Sequence, residues 1–253
     1  MDLGIQLYGP IANGSMNFRD LMAGLKNVGY KMAEPCISLD GKSGAPTFWQ
    51  PEELADKFAV LNELGLEVIS AHVSSVNYLD TIPVMCELAD KYHVKQFVVG
   101  MPEATEAAVK ERALVYRQLA AALEEHGAEL LLHNGKPDMA PIRGITAYEY
   151  MIELCMGKLG MQFDTGWAAR GGVDPMVIIR RSYDSIRSLH YKDFNMNNDT
   201  DVDVCIGDGT LDNEDYMKFG QEKGIPIFVD ADTYDKVLDD AARSYRYLMS
   251  ISK

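Results

Sequence analysis

Eight short apolar runs, each followed by an amphipathic stretch, pace this chain from end to end, and that alternation restricts the fold more than any single motif. The runs are GIQLY (4–8), MAEPCI (32–37), EVISAHV (67–73), QFVVG (96–100), ELLLHN (129–134), MQFDTG (161–166), SLHYKD (188–193) and PIFVDA (226–231). Brief apolar segments of this kind predict buried strands. The stretches between them read as helices: NFRDLMAGLKNVG, PEELADKFAVLNELG, EAAVKERALVYRQLAAALEEHG, DPMVIIRRSYD, NEDYMKFGQEKG and DKVLDDAARSYRYLMS. In the second of these, Leu54, Phe58, Leu61 and Leu64 fall on one face and Gly65 supplies a stop. Several helices end in Gly just before the next strand, as parallel β/α units do. Eight such units in 253 residues predict the α/β class and a closed (β/α)8 TIM barrel, with residues 1–253 as a single domain. An open doubly wound sheet is the competing architecture, but no GxGxxG follows the first strand.

Charge and cysteine usage narrow the function classes. The formal net charge is −14, with acidic residues spread through the chain, which argues against a nucleic-acid or anionic-membrane surface. Cys36, Cys86, Cys155 and Cys205 are far apart and form no CxxC or zinc-ribbon spacing, so they read as reduced thiols. The first residues, MDLGIQLYGP, lack the pattern of a secretory signal, and no apolar run approaches the roughly 18 residues of a membrane span. A cytoplasmic protein with a small-molecule ligand is expected, and a homo-oligomer is compatible with everything in the sequence.

Barrel enzymes keep their chemistry at the C-terminal ends of the strands. The polar residues at those ends are Glu34, His72, His133, Asp164, His190 with Lys192 and Asp193, and Asp230. A histidine ending an apolar strand has a plain structural reading, a core imidazole bonded to a nearby carbonyl. The set is harder to dismiss, because His133, Asp164, His190 and Asp230 come from four successive strands and would converge on one side of the mouth. Two imidazoles and two carboxylates are a fitting ligand set for Mn²⁺, Zn²⁺, Co²⁺ or Fe²⁺. His72 approaches from the opposite arc, as a substrate ligand or a support. Glu34 reads as a substrate-binding carboxylate or the partner of a loop lysine. Trp167 and Phe194 would wall an apolar face for a sugar ring. Asp193, adjacent to Lys192, would orient a ligand from behind. His93 and His126 follow helices, where a cation suits the dipole, and read as structural.

At these residues the sequence resembles the xylose isomerase-like sugar phosphate isomerase/epimerase superfamily, which includes inosose dehydratase, ketose 3-epimerases and endonuclease IV. The matching segments are GIQLY, HN at 133–134, MQFDTGWAARGGVDP at 161–175, LHYKDF at 189–194, IGDGTLD at 206–212 and FVDAD at 228–232. The resemblance implies one divalent ion, Mn²⁺ favoured, held by residues of the fifth to eighth strands, and a sugar chelated through adjacent oxygens. Asp164 and His190 match the sixth- and seventh-strand ligands. Asp230 stands where Glu is usual, about 1.5 Å shorter in reach. LHNGKPDM replaces the related YHNHDFEF, with Gly135 for the second His and Asp138 for the following Glu; His133 stands where ketose epimerases place a Glu.

The expected chemistry is isomerisation or epimerisation of a sugar or sugar-like ketone by α-proton transfer through a metal-stabilised enediolate. Asp230 is the expected base, with His133 or Glu34 as opposing acid and Lys192 on an oxyanion; His72, Asp138 and Trp167 join Glu34 in binding substrate. Asp232 is the second candidate base, because a carboxylate that binds a metal is a weakened one. The same equipment would serve dehydration of a keto-cyclitol or keto-sugar, and the changes at Gly135, Asp138 and Asp230 would equally suit a barrel that binds a sugar without turning it over. Phosphodiester hydrolysis would call for more His ligands and a basic surface. No Gly-rich phosphate loop is evident, so an unphosphorylated carbohydrate or cyclitol is at least as good a fit as a sugar phosphate.

Overall fold

A computed structural model describes residues 2–252. Nine parallel strands form its main sheet: β1 (Leu3–Gln6), β2 (Met32–Glu34), β3 (Cys36–Ser38), β4 (Ser70–Ser74), β5 (Gln96–Val99), β6 (Glu129–His133), β9 (Leu159–Asp164), β10 (Ile186–Tyr191) and β11 (Ile227–Val229). A two-residue hairpin, β7 (Pro141–Ile142) and β8 (Ile145–Thr146), interrupts the series. The sheet runs β2-β1-β11-β10-β9-β6-β5-β4-β3. Its two ends are halves of one stave. Pro35 has no N–H to donate to a ladder, and it divides the second strand into β2, paired with β1, and β3, paired with β4. His72 N–H still reaches Pro35 O at 2.9 Å and Ala33 N–H reaches Glu67 O at 2.9 Å, so the break closes the ring. The architecture is the (β/α)8 barrel that the alternation predicts.

The surrounding helices are α1 (Tyr8–Asn13), α2 (Phe18–Val28), α3 (Leu54–Leu64), α4 (Ile82–Tyr92), α5 (Glu106–Glu124), α6 (Ala147–Leu154), α7 (Thr165–Arg170), α8 (Pro175–Arg181), α9 (Asn213–Lys223) and α10 (Val237–Ile251). Among the described residues no helix is long and apolar enough to cross a membrane. Their ends are set locally. Gly65 takes the left-handed conformation (φ 67°) that stops α3 and returns its N–H to Leu61 and Asn62 carbonyls. Thr146 and Glu149 form a reciprocal capping box at the start of α6.

Strand alternation sorts the barrel into two layers. Phe97, Val99, Leu130, Leu132, Phe163, Leu189, Ile227 and Val229 pack outward in one buried cluster with Leu25, Phe58, Leu88, Tyr116 and other helix residues. The alternate positions face the axis. Gly4 makes room there for Phe228, whose ring lies where a Cβ on Gly4 would come within 2.2 Å. Strand ends depart from the sequence reading in one useful way: MQFDTG stops being a strand at Asp164, since Thr165 begins α7, and PIFVDA stops at Val229. Asp164 is therefore a helix cap, and Asp230 and Asp232 belong to the loop beyond the last strand.

Candidate metal centre and active site

Ser70 and His72 lie two residues apart on β4, as do Gln162 and Asp164 on β9, so each pair faces the axis with its second member nearer the mouth. His133, Asp164, His190 and Asp230 converge there, each offering one ligand atom within 4.8 Å of the others; His72, His133 and His190 form an overlapping group by the same measure. His190 Nδ1 lies 3.1 Å from both His133 Nε2 and Asp230 Oδ2. His133 Nε2 lies 3.6 Å from Asp164 Oδ2 and 3.8 Å from Asp230 Oδ2. Ligand bonds of about 2.0–2.2 Å place neighbouring donors about 2.8–3.6 Å apart in an octahedral or tetrahedral set; three of these four spacings fall in that range, and the fourth, His133 to Asp230 at 3.8 Å, lies just beyond it.

Asp164 supplies an independent sign of fit. Its Oδ1 accepts Trp167 N–H at 2.7 Å and caps α7, whereas Oδ2 is buried without any hydrogen-bond partner. A buried carboxylate oxygen left unpaired is costly, and a cation would satisfy it. Two imidazole nitrogens with two carboxylates suit borderline divalent ions. Asn134 fixes the position of this carboxylate. Its side chain donates to Asp164 O at 3.0 Å and accepts Asp164 N–H at 2.9 Å, a side-chain rung between neighbouring staves.

Below the cluster lies a buried polar floor. Glu34 Oε2 accepts from His190 Nε2 at 2.6 Å, and Oε1 accepts from Ser70 Oγ at 2.5 Å and Gln162 Nε2 at 2.7 Å. His72 Nε2 lies 2.7 Å from Gln162 Oε1 and 3.4 Å from Glu34 Oε2. To one side, Lys192 is buried with Nζ 2.6 Å from Asp232 Oδ2, 3.4 Å from Asp230 Oδ1 and 5.2 Å from the Trp167 ring centre. Asp203 accepts the backbone N–H of Asp232 and Thr233, which holds the eighth loop in place.

These contacts set the charge states. Burial would raise Glu34, but the imidazoles of His190 and His72 hold it well below the usual carboxylate range. Burial would lower His190, and Glu34 and Asp230 more than offset that, holding it up at about 10. His133 is pushed down by burial, with neighbouring His190 and His72 adding to the effect. Asp230 is held far down against its burial by Lys192, His190 and His133. Asp232 is pushed up by burial and by Asp230, despite Lys192.

The structure brings together His133, Asp164, His190, Asp230, Lys192 and His72. Two expected substrate ligands are corrected. Glu34 is 0 % exposed beneath the histidines, where both of its oxygens are taken by protein donors, so it has no surface to offer a substrate. Asp138 is turned inward and its Oδ2 accepts Gly135 N–H, closing the turn after β6. Trp167 does sit at the mouth, with its ring centre 5.1 Å from that of Phe194. His126 pairs with Asp90 at 2.9 Å, and His93 is the left-handed cap of α4, both structural positions.

No protein-family profile and no curated protein matches this sequence. Solved structures do match in shape. A sugar phosphate isomerase/epimerase from Parabacteroides distasonis is 18 % identical with a TM-score of 0.78, covering 100 % of this chain and 99 % of that one. A xylose isomerase-like TIM barrel protein from Mycobacterium smegmatis, in complex with magnesium, is 13 % identical with a TM-score of 0.72, over 99 % and 96 % of the two chains. The probable 3-DHS dehydratase involved in petrobactin synthesis from Bacillus anthracis is 12 % identical with a TM-score of 0.71, over 98 % and 99 %. The chain has the TIM-barrel fold of these structures.

In this barrel the segments that carried the sequence resemblance have physical roles. In FDTGW, Gly166 lets α7 lie against β10's exit, since a Cβ there would come within 2.4 Å of Lys192 O. In KDF and GDGTLD, Asp193 is the tie: it accepts N–H from Phe194, Gly207 and Leu211 and the Asn213 side-chain amide. Asp193 thus organises the loop after β10 rather than orienting a metal ligand. Arg170 braces the same loop, donating to the carbonyls of Asn195, Asn198 and Thr200.

Proposed function

We propose that this protein is a divalent-metal-dependent isomerase or epimerase of a sugar or sugar-like hydroxyketone that works by moving the proton α to the carbonyl. The observation that carries the reading is the orphaned Oδ2 of Asp164 set among His133 Nε2, His190 Nδ1 and Asp230 Oδ2. These four residues would hold the ion, which supplies Lewis-acid stabilisation of the charge that develops on the ketone oxygen as the α-proton leaves. Asp230, bonded to His190 and within 3.4 Å of Lys192, is committed to holding. Asp232 is the carboxylate left to work on substrate: its side chain is 41 % exposed beside the cluster, and Lys192 at 2.6 Å keeps it in place. It takes the α-proton, and Lys192 holds a compensating charge next to it. Trp167, partly exposed at the mouth, gives the apolar face of a sugar ring a wall to lie on, whereas the Phe194 ring expected beside it is fully buried and only backs the indole.

The isomerase and epimerase names among the structural neighbours support this class, and the probable dehydratase among them supports one alternative, loss of water from a keto-cyclitol or keto-sugar. Both are tested together by incubating the protein, loaded in turn with Mn²⁺, Co²⁺ and Zn²⁺, with unphosphorylated ketoses and keto-cyclitols in deuterium oxide. Deuterium entering the α-carbon with the carbon skeleton and its oxygens intact supports the isomerase or epimerase. Loss of water supports the dehydratase. A protein that binds metal and sugar but exchanges no α-proton is a binding barrel, and both catalytic readings fall.

A further inference from the structure

Glu34 lies in the barrel interior behind His190, with both carboxylate oxygens held by protein donors. It is wholly buried, and its two oxygens are divided between tasks: Oε2 takes His190 Nε2 at 2.6 Å, while Oε1 is held by Ser70 Oγ and Gln162 Nε2. Gln162 is itself fixed, because its Oε1 accepts from His72 Nε2 at 2.7 Å. With that bond in place its amide nitrogen has to point at Glu34. The chain His72, Gln162, Glu34, His190 therefore runs across the barrel from β4 to β10, with donation converging on the Glu34 carboxylate from both sides.

An imidazole has two nitrogens, and a metal takes the one without a proton. In His190 the Nε2 side faces Glu34, and the Nδ1 side faces His133 Nε2 and Asp230 Oδ2 at 3.1 Å each. We propose that Glu34 is the positioning residue of the metal centre: by taking the Nε2–H of His190 it fixes the ring's orientation and tautomer, leaving Nδ1 as the ligand atom. Ser70, Gln162 and His72 act through Glu34 by holding its carboxylate at the height of the ring. A carboxylate behind a metal-bound histidine raises the basicity of the ring and restricts its rotation, and removing such a partner typically weakens metal binding about 10–100-fold. This inference rests on the metal-site reading given above and assigns Glu34 a role in affinity rather than in contact with substrate.

The test measures Zn²⁺ and Mn²⁺ dissociation constants by competition with a chromophoric chelator for wild type, Glu34→Gln and Asp164→Asn, with folding of each metal-free protein checked by circular dichroism. Ser70→Ala is included because it loosens Glu34 without altering its charge and keeps the test open should Glu34→Gln not fold. The expected result is a loss of about 10–100-fold in affinity for Glu34→Gln, a loss of several-fold for Ser70→Ala, and a larger loss for Asp164→Asn than for either. In the Zn²⁺-loaded wild type, ¹⁵N spectra should show His190 protonated at Nε2 and metal-bound at Nδ1, and the Nε2–H resonance should move in Glu34→Gln. Wild-type affinity in Glu34→Gln or, if that variant does not fold, in Ser70→Ala, with Asp164→Asn impaired, overturns the role of Glu34 and leaves the metal site standing. So does a His190 protonated at Nδ1. If Asp164→Asn also binds as wild type does, it is the metal-site reading that falls.

Discussion

The carboxylate of Glu34 and the imidazole of His190 meet at 2.6 Å with both side chains wholly buried, although 156 positions separate them in the chain. Burying an ion pair is costly, and such a pair holds only while both members and their other hydrogen bonds are present. Glu34→Ala strips the acceptor from His190, Ser70 and Gln162 at once. The expected loss is about 3–5 kcal/mol of stability in the metal-free protein. Urea denaturation at neutral pH checks it, and a loss below about 1 kcal/mol would mean that the floor repacks.

Metal binding should in turn stabilise the fold. An ion that binds the folded chain alone adds about 2.7 kcal/mol at a hundred times its dissociation constant. Wild-type Tm should therefore rise with added Mn²⁺ or Zn²⁺ and return on chelation. Asp164→Asn, which weakens the ligand whose Oδ2 has no protein partner, should show little of that rise in the same scans.

Gly166 stands at a contact that admits no side chain, because a Cβ would come within 2.4 Å of Lys192 O and 2.8 Å of Lys192 Cβ. Gly166→Ala must push α7 away from the exit of β10, taking Trp167 with it. A cost of about 1–3 kcal/mol is expected, the range for overpacking a tight contact. The displacement should also weaken metal binding at the proposed site, since Trp167 N–H donates to Asp164 Oδ1. Denaturation and a metal titration on the same preparation read both effects.

Much of the site was legible in sequence because strand order puts consecutive strand ends side by side. His133, Asp164, His190 and Asp230 follow from that rule alone. Gln162 and Ser70 escaped the reading, although the alternation offered a signal: each stands two residues before a polar strand-end residue, Asp164 and His72, and so shares its face. An amide or a hydroxyl inside an apolar run is easily passed over as a tolerated polar residue. Glu34 was located but misassigned, because nothing in MAEPCI reveals that Pro35 splits the stave and leaves the carboxylate under the histidines. The hairpin of β7 and β8 and the short helices α1, α6 and α7 lacked the periodic length that makes an element visible.

Asp138 offers a pH test away from the proposed metal ligands. Burial raises its carboxyl from 3.8 to about 6, against the Gly135 N–H bond that favours the charged form. The folded state thus holds this proton more tightly than the unfolded chain does. Its contribution to stability is fully present below about 3.8 and is lost as pH rises through about 6. Asp138→Asn cannot titrate there. Going from pH 7 to pH 4, wild type should gain on this variant by about 2 kcal/mol in paired urea titrations. A gap that stays constant across that range would show the carboxyl to be unperturbed.

Asp232 and Asp230 lie two residues apart, and Lys192 contacts both, yet the two carboxylates should separate cleanly in experiment. Asp230 faces His190 and His133 and is almost wholly buried, whereas the Asp232 side chain is 41 % exposed. Asp230→Asn should therefore lose metal affinity and proton exchange together. Asp232→Asn should keep metal affinity within a few-fold and lose exchange of the substrate α-proton by about 10²–10⁴, the usual worth of a positioned general base. The rate of deuterium uptake into a turned-over ketose, set beside a metal titration of each variant, reads both quantities. The division of labour fails if Asp232→Asn exchanges at the wild-type rate, because the proton then moves through the ligand Asp230 or through Lys192.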